Sequence, residues 1–280
     1  MRDLTDDEQA DFDRDGVVHL RAAVDVSWVE RMAAAVDRIL ATPLPTPGPP
    51  RGGGMDRHLY RDDPEFAEFV SGTPLARLAA QATGSEQVRI YFDQIFVKEA
   101  GTDSEFRWHQ DHPYWPIGGD QVVSTWVALT RSTVEGSALE FVRGSHRWGR
   151  TFRPVAGDAD RDQMNAIWDG FGDHAHSIPD EIIAFEDHPD RYDVVGFAVE
   201  PGDALLFDYR ILHRSRGNTT NRRRVAISWR WLGDDATWQW VRGADPVIGP
   251  DDTHLRPGEL VTDDDTFPVA YRRDPSPVSA

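Results

Sequence analysis

The first 87 residues carry the hydrophobic spacing of α-helices. One helix is predicted to begin at a capping box, Thr5-Asp6-Asp7-Glu8, and a longer one at a second box, Ser27-Trp28-Val29-Glu30. Two shorter helices are predicted, one near Pro64 and one from Pro74. In the longer helix, apolar residues recur at three- or four-residue spacing: Val29, Met32, Val36 and Ile39. This apolar face should pack against a sheet.

From Val88 the pattern changes to short runs of β-branched and aromatic residues separated by Gly, Pro and Asp. Such runs are typical of an antiparallel barrel or jelly roll. In the last run, apolar side chains at odd positions from 225 to 231 alternate with polar or small ones at even positions. A polar inner wall indicates a binding site rather than a dry core. The predicted strands are Val88–Lys98, Val122–Leu129, Ala138–Val142, Val194–Val199, Ala204–Phe207 and Arg224–Trp231.

The order of these patterns fits one mainly β domain with flanking helices, spanning residues 1–280. N-terminal helices occupy residues 1–87, a β core occupies 88–232, and an irregular C-terminal segment, 233–280, is expected to wrap around it. Residues 150–192 have little periodic pattern. We expect them to form an insertion in the core, either a lid, a binding loop or a disordered segment.

Composition narrows the possible functions. The net charge of -18 argues against binding to nucleic acid or to an anionic membrane, and no run of 18 apolar residues is present. The chain has no cysteine, so any metal must be bound by His and carboxylate. The acidic N-terminus lacks the basic and apolar regions of a secretory signal. We expect a cytoplasmic protein that acts on a small molecule; its oligomeric state is open, and a monomer is compatible with the composition.

Three residues form a candidate metal site. His109 and Asp111 are two positions apart, so on an extended segment their side chains leave the same face and can bind one ion. On its own, this triplet is more often a surface hydrogen-bonding pair. His213 follows a predicted strand and supplies a third ligand, with a packed or surface imidazole as the alternative. Two histidines and one carboxylate are the ligands of the facial triad that binds non-haem Fe(II) and leaves coordination positions open.

Two basic residues, Arg224 and Lys98, are further candidates for this site. Arg224 lies on the polar face of the last predicted strand, where it could bind a carboxylate through two parallel N–H bonds. An ordinary surface arginine is the alternative. Lys98 is the only lysine among thirty basic residues, and a chance surface cation is its alternative.

The ordered set of motifs resembles the phytanoyl-CoA dioxygenase-like family of Fe(II)/2-oxoglutarate-dependent oxygenases. The resemblance implies a double-stranded β-helix, which is a cupin-like jelly roll, with iron on His109, Asp111 and His213. It also implies that 2-oxoglutarate lies on Arg224 and Ser215, near Lys98 and Trp126. The segments that carry it are Asp15-Gly16-Val17-Val18, His109-Gln110-Asp111, Gly136-Ser137-Ala138-Leu139, Gly144-Ser145-His146, His213-Arg214-Ser215 and Arg224.

The reaction implied by the resemblance uses Fe(II), 2-oxoglutarate and molecular oxygen. Decarboxylation of 2-oxoglutarate to succinate accompanies hydroxylation of an unactivated C–H bond. Asp111 favours hydroxylation over halogenation, because halogenases of this broad class carry a small residue there. A secondary metabolite or an amino-acid-like compound is favoured as substrate over a polyanionic CoA ester, given the negative charge of the chain.

Four residues near these motifs are candidates for substrate binding: Gln94, His112, Tyr114 and Arg230. Packing roles are the alternative for each. His174 and His176 form another pair at ligand spacing, but no strand pattern surrounds them, which favours a solvated loop. The alternative function for the whole chain is a catalytically silent β-helix protein that binds a metabolite.

Overall fold

The computed structural model describes residues 2–42, 52–152, 189–240 and 248–274. In these ranges two antiparallel sheets face each other, as the predicted double-stranded β-helix requires. Strands of both sheets contribute to one apolar cluster, in which Phe207 of the larger sheet lies 5.2 Å from Phe141 of the smaller one, measured between ring centroids. The helices pack on the outer face of the larger sheet.

The strands are β1 (Val17–Leu20), β2 (Gly53–Arg57), β3 (Gln87–Lys98), β4 (Phe106–His109), β5 (Ile117–Gly118), β6 (Val122–Ala128), β7 (Leu139–Val142), β8 (Val194–Gly196), β9 (Ala204–Asp208), β10 (His213–Ser215), β11 (Arg224–Leu232), β12 (Thr237–Trp238) and β13 (Val269–Arg272). The larger sheet has the order β1-β9-β6-β11-β3-β13, with β2 also paired to β3. The smaller sheet has the order β4-β10-β7-β8, and β12 pairs with β5. All six predicted strands are confirmed within a few residues.

The helices are α1 (Asp6–Asp15), α2 (Val26–Ala41), α3 (Leu59–Asp62), α4 (Pro64–Gly72) and α5 (Leu75–Thr83). The capping box at the start of α1 is confirmed, since the Thr5 hydroxyl accepts from the Glu8 N–H and the Glu8 carboxylate accepts from the Thr5 N–H. The second box is wrong. Helix α2 begins two residues earlier than the box predicts, with Asp25 instead of Ser27 as the N-cap residue, and no side-chain hydrogen bond caps it. Its predicted apolar face is nevertheless buried.

Strand β11 separates the outer core from the space between the sheets. On its outer face Trp229 is fully buried and stacks on Phe69 of α4 at 5.4 Å between ring centroids. On its inner face Arg224, Ser228 and Arg230 line a cavity. The alternation in the sequence therefore indicates correctly which face of this strand carries the polar wall.

Several elements depart from the sequence-based expectation. Strand β13 lies in the C-terminal segment expected to be irregular and pairs with β3. Strands β1 and β2 both lie within residues 1–87, where only helices were predicted. Most of the insertion at 150–192, including His174 and His176, lies outside the described residues. Within the described ranges, the helices are too short or too polar to span a membrane.

Candidate active site

His109, Asp111 and His213 converge at one end of β4 and β10. These strands pair with His109 directly opposite His213, and the potential ligand atoms of the three residues all lie within 4.8 Å of one another. The Nε2 atoms of His109 and His213 are 4.0 and 3.9 Å from Oδ1 of Asp111. An ion bonded at about 2 Å to each ligand can bridge such separations. The predicted triad is therefore brought together.

Hydrogen bonds orient the three side chains for metal binding. The Nδ1 atom of His109 lies 2.7 Å from the carbonyl of Arg107, and that of His213 lies 3.1 Å from the carbonyl of Ile211. These bonds favour the proton on Nδ1 of each ring. The lone pair of each Nε2 is then directed at the space between the three side chains. Burial, with the neighbouring His109, lowers the pKa of His213 to about 4, which keeps it neutral. This donor set fits Fe(II).

Asp111 reaches the site by a different backbone path from the one expected. Strand β4 ends at His109, and Asp111 has helical dihedrals just before the short 3-10 turn His112–Tyr114. Its Oδ2 accepts a hydrogen bond of 3.2 Å from the Ser124 hydroxyl on β6. Ser124 therefore fixes one carboxylate oxygen and leaves the other for a metal.

Arg224 lies at the start of β11 and is 2% exposed. Its guanidinium donates to the Phe96 carbonyl at 3.0 Å and to the Ser137 hydroxyl at 3.3 Å, and lies 5.6 Å from the ring centroid of Trp126. No carboxylate in the described ranges forms an ion pair with Arg224, and its Nε has no hydrogen-bond partner there. Burial lowers the pKa of Arg224 to about 9, so it stays charged at neutral pH. The surface-arginine alternative is excluded.

Lys98 pairs with Arg224 across β3 and β11 and is 4% exposed, which excludes a surface cation. Its ammonium donates to the hydroxyl and the carbonyl of Ser215, at 3.0 and 3.2 Å, and to the Arg216 carbonyl at 2.6 Å. Lys98 does not line the cavity, whereas Ser215 does. Lys98 therefore positions Ser215 through hydrogen bonds and does not itself face the cavity.

A cavity of about 500 Å³ extends from the candidate metal ligands between the two sheets. Trp126, Gln94, Tyr114 and Arg230 line it as predicted. His112 is not among the lining residues: its ring lies edge-on against Tyr209, with 5.0 Å between centroids, which agrees with the packing role given as its alternative.

Other residues of the cavity wall were not predicted. Phe92 and Phe96 follow from the β3 alternation that also places Gln94, so that signal was present in the sequence. Arg57 lacked any signal, because β2 is joined to the cavity only by long-range pairing with β3. The further wall residues without a prediction from the sequence are Ser104, Glu105, Phe106, Arg107, Leu139, Phe207 and Arg214.

Comparisons with known proteins agree with this geometry. Residues 12–226 match the family described as phytanoyl-CoA dioxygenase (PhyH). The chain belongs to the phytanoyl-CoA dioxygenase family. As a member it is an iron- and 2-oxoglutarate-dependent dioxygenase, in agreement with the resemblance in the sequence.

Individual relatives of this dioxygenase are distant. Ectoine dioxygenase of Sphingopyxis alaskensis is 25% identical over 232 residues, which cover 76% of this chain and 71% of the relative. L-proline trans-4-hydroxylase of Streptomyces griseoviridis is 25% identical over 231 residues, which cover 79% and 84%. The epimerase SnoN, solved with Fe3+, alpha ketoglutarate and nogalamycin RO, has a TM-score of 0.70 at 22% identity and covers 95% of this chain and 98% of its own. The likeness to SnoN shows that the two proteins share a fold.

A buried ion-pair network braces the strand that carries His213 in this dioxygenase. Glu140 on β7 lies opposite Arg214 on β10, and its carboxylate accepts from Nε of Arg214 at 2.9 Å and of Arg216 at 2.7 Å. The side chain of Glu140 is 5% exposed. Burial raises the pKa of Glu140, but the bonds from Arg216 and Arg214 outweigh it and lower that pKa overall.

We expect Glu140→Gln to lower the free energy of unfolding by about 2 kcal/mol at pH 7. This loss is smaller than that expected for a fully buried ion pair, because Arg216 is half-exposed. Since the folded-state pKa is lowered, this stabilisation is present above the pKa of the unfolded state and is lost as the pH falls through the folded value. Urea denaturation of both proteins at pH 7 and pH 4 checks the difference.

Glu200→Gln is the matched control. Glu200 pairs with Arg131 while both are mostly exposed, and its loss should change the unfolding free energy by no more than about 0.5 kcal/mol. Equal effects of the two substitutions would show that the Glu140 network does not brace β10.

Proposed function

We propose that this dioxygenase hydroxylates a C–H bond of a small secondary-metabolite or amino-acid-like molecule. Iron binds to His109, Asp111 and His213, and Arg224 with Ser215 binds the distal carboxylate of 2-oxoglutarate. The observation that carries this proposal is the buried guanidinium of Arg224 in the same cavity as three converging metal ligands. The names of two relatives, ectoine dioxygenase and L-proline trans-4-hydroxylase, support a small substrate and hydroxylation.

Each group of the chain has a defined task in this proposal. When bound, Fe(II) supplies the activation of dioxygen that is coupled to decarboxylation of 2-oxoglutarate. Arg224 binds the carboxylate of the cosubstrate through charge-assisted hydrogen bonds, and Trp126 packs against the guanidinium. Ser124 holds Asp111, and Lys98 holds Ser215. The aromatic walls around Phe207 exclude water from the reacting groups.

The proposal is tested by anaerobic addition of Fe(II) and 2-oxoglutarate to the purified protein, which should produce a visible metal-to-ligand charge-transfer band. The absence of a band would overturn it and favour a silent metabolite-binding protein. Succinate release with candidate substrates, followed by product analysis, then separates hydroxylation from desaturation or epimerisation. A cytoplasmic location and the lack of a nucleic-acid partner stay predictions of the sequence.

The affinity for 2-oxoglutarate should fall as the pH rises above 7. Burial, and next the charge of Arg224, lowers the pKa of Lys98 to about 7. Because 2-oxoglutarate is a dianion, its binding favours the protonated amine of Lys98, and the complex therefore takes up a proton. Above pH 7 the affinity for 2-oxoglutarate should drop by up to about tenfold per pH unit. Titrations of the charge-transfer band between pH 6.5 and 8.5 measure this slope.

Lys98→Met should bind 2-oxoglutarate more weakly and remove most of the slope. A slope that survives in Lys98→Met would assign the proton uptake to another group.

A further inference from the structure

A second buried arginine lies at the other end of the inner face of β11. Arg230 is 5% exposed and lines the same cavity as Arg224. The two are six residues apart on one strand, which places their Cα atoms about 20 Å from each other. The guanidinium of Arg224 lies over Trp126 and donates to the Phe96 carbonyl. That of Arg230 lies 4.9 to 5.8 Å from the ring centroids of Phe92, Phe96 and Trp115.

The candidate metal ligands lie between these two arginines. Arg230 pairs across β11 and β6 with Ser124, whose hydroxyl is bonded to Asp111. On the other side, Ser215 is two residues beyond His213 and is bonded to Lys98, the partner of Arg224 across β3. A 2-oxoglutarate that extends from the metal to Arg224 therefore extends away from Arg230. A ligand bound at Arg230 would therefore be a molecule other than 2-oxoglutarate.

The surroundings of Arg230 suit a bound anion. Its Nη2 donates to the Gln94 side chain at 2.8 Å, and its guanidinium carbon lies 4.9 Å from the ring centroid of Phe92. The guanidinium of Arg57, which also lines the cavity, lies 5.6 Å from the same ring. Contacts with ring faces hold a guanidinium in place, and its planar set of N–H donors matches the geometry of a carboxylate. Two guanidinium groups of the cavity wall therefore lie at one aromatic ring, that of Phe92.

We propose that the substrate of this enzyme carries a carboxylate, and that Arg230, assisted by Arg57, binds it. This inference rests on the proposed function and adds the substrate class. The carboxylate anchors the molecule at Phe92, and its apolar or cyclic part extends along the aromatic wall toward His109 and His213. The cavity of about 500 Å³, shared with 2-oxoglutarate, limits the substrate to a small acid.

Binding of matched acid and carboxamide pairs tests this proposal. The probes are N-acetyl-L-proline, phenylacetic acid and cyclohexanecarboxylic acid, each with its primary amide. They are added anaerobically to the complete chain with Fe(II) and saturating 2-oxoglutarate, so that Arg224 is already occupied. Binding is read as a change in the charge-transfer band and as a rise in the unfolding temperature.

We expect at least one acid to bind, and its amide to bind at least about tenfold more weakly. Arg230→Gln should weaken acid binding roughly ten- to hundredfold and leave the 2-oxoglutarate affinity unchanged. Arg230→Lys should retain part of the affinity, and Arg57→Gln should cause a smaller loss. Arg131→Gln, a change at an exposed arginine, should have no effect. An intact charge-transfer band shows that each variant is folded.

Three results would overturn the substrate assignment: amides that bind as well as acids, Arg230→Gln that binds acids like the wild type, or no acid bound while the band is intact. A loss of 2-oxoglutarate affinity in Arg230→Gln would also overturn it, because Arg230 would then belong to the cosubstrate site. Failure of the proposed function is distinguishable, since the wild type would then show no band at all.

Discussion

His213→Ala is expected to abolish the charge-transfer band with Fe(II) and 2-oxoglutarate. It should also lower turnover by more than roughly 100-fold, which is the upper end of the loss typical for a residue that only supports a metal ligand. The substitution removes one of three ligand atoms that lie within 4.8 Å of one another. His109→Ala should have the same effect, because both Nε2 atoms face the same carboxylate oxygen of Asp111. Anaerobic absorption spectra and succinate release measure these outcomes.

The control for both variants is His254→Ala. The side chain of His254 is 75% exposed and pairs with Asp263. This variant should keep the full band and full activity. Far-ultraviolet circular dichroism shows whether each protein is folded. A folded His213→Ala protein with an undiminished band would show that iron binds elsewhere.

Arg224→Gln is expected to weaken 2-oxoglutarate binding about 100-fold or more, since two charge-assisted hydrogen bonds of roughly 1.5–3 kcal/mol each are lost. The protein without cosubstrate should lose little or no stability, because the substitution removes a buried charge that no described carboxylate pairs. Affinity and stability should therefore respond differently. Titration of the charge-transfer band and urea denaturation measure the two quantities separately.

Arg222→Gln, a change at an exposed position two residues earlier, is the matched control and should alter neither quantity. Arg224→Lys should bind 2-oxoglutarate with intermediate affinity, because it keeps the charge without the planar fork of donors. If Arg224→Gln lost several kcal/mol of stability but bound 2-oxoglutarate like the wild type, the guanidinium would be structural.

The parts of the site that could be predicted are those with a local signal. The alternation in β11 places Arg224 and Arg230 on one face, and the His-x-Asp triplet with a distant histidine identifies a metal site. Strands β4 and β10 have no such signal, since they are short and contain polar residues that the site requires. They form because His213 pairs with His109 on one side and with Phe141 on the other.

The remaining errors have specific physical causes. His112 adjoins Asp111 in the sequence, but it begins a short 3-10 turn and its ring packs against Tyr209 instead of lining the cavity. Glu140 gives no sign of its role until β7 and β10 are paired, because its partners follow it by more than seventy residues. The place of Arg57 in the cavity depends in the same way on a pairing between distant segments.

The alternation along β11 also bears on how the enzyme can acquire new substrates. Odd positions such as Trp229 and Trp231 stack under the helices, whereas even positions such as Ser228 and Arg230 face the cavity. Exchanges at even positions alter what the cavity recognises while the aromatic stack that stabilises the fold stays intact. Directed evolution of substrate range should therefore start with residues 228 and 230 and leave 229 and 231 unchanged.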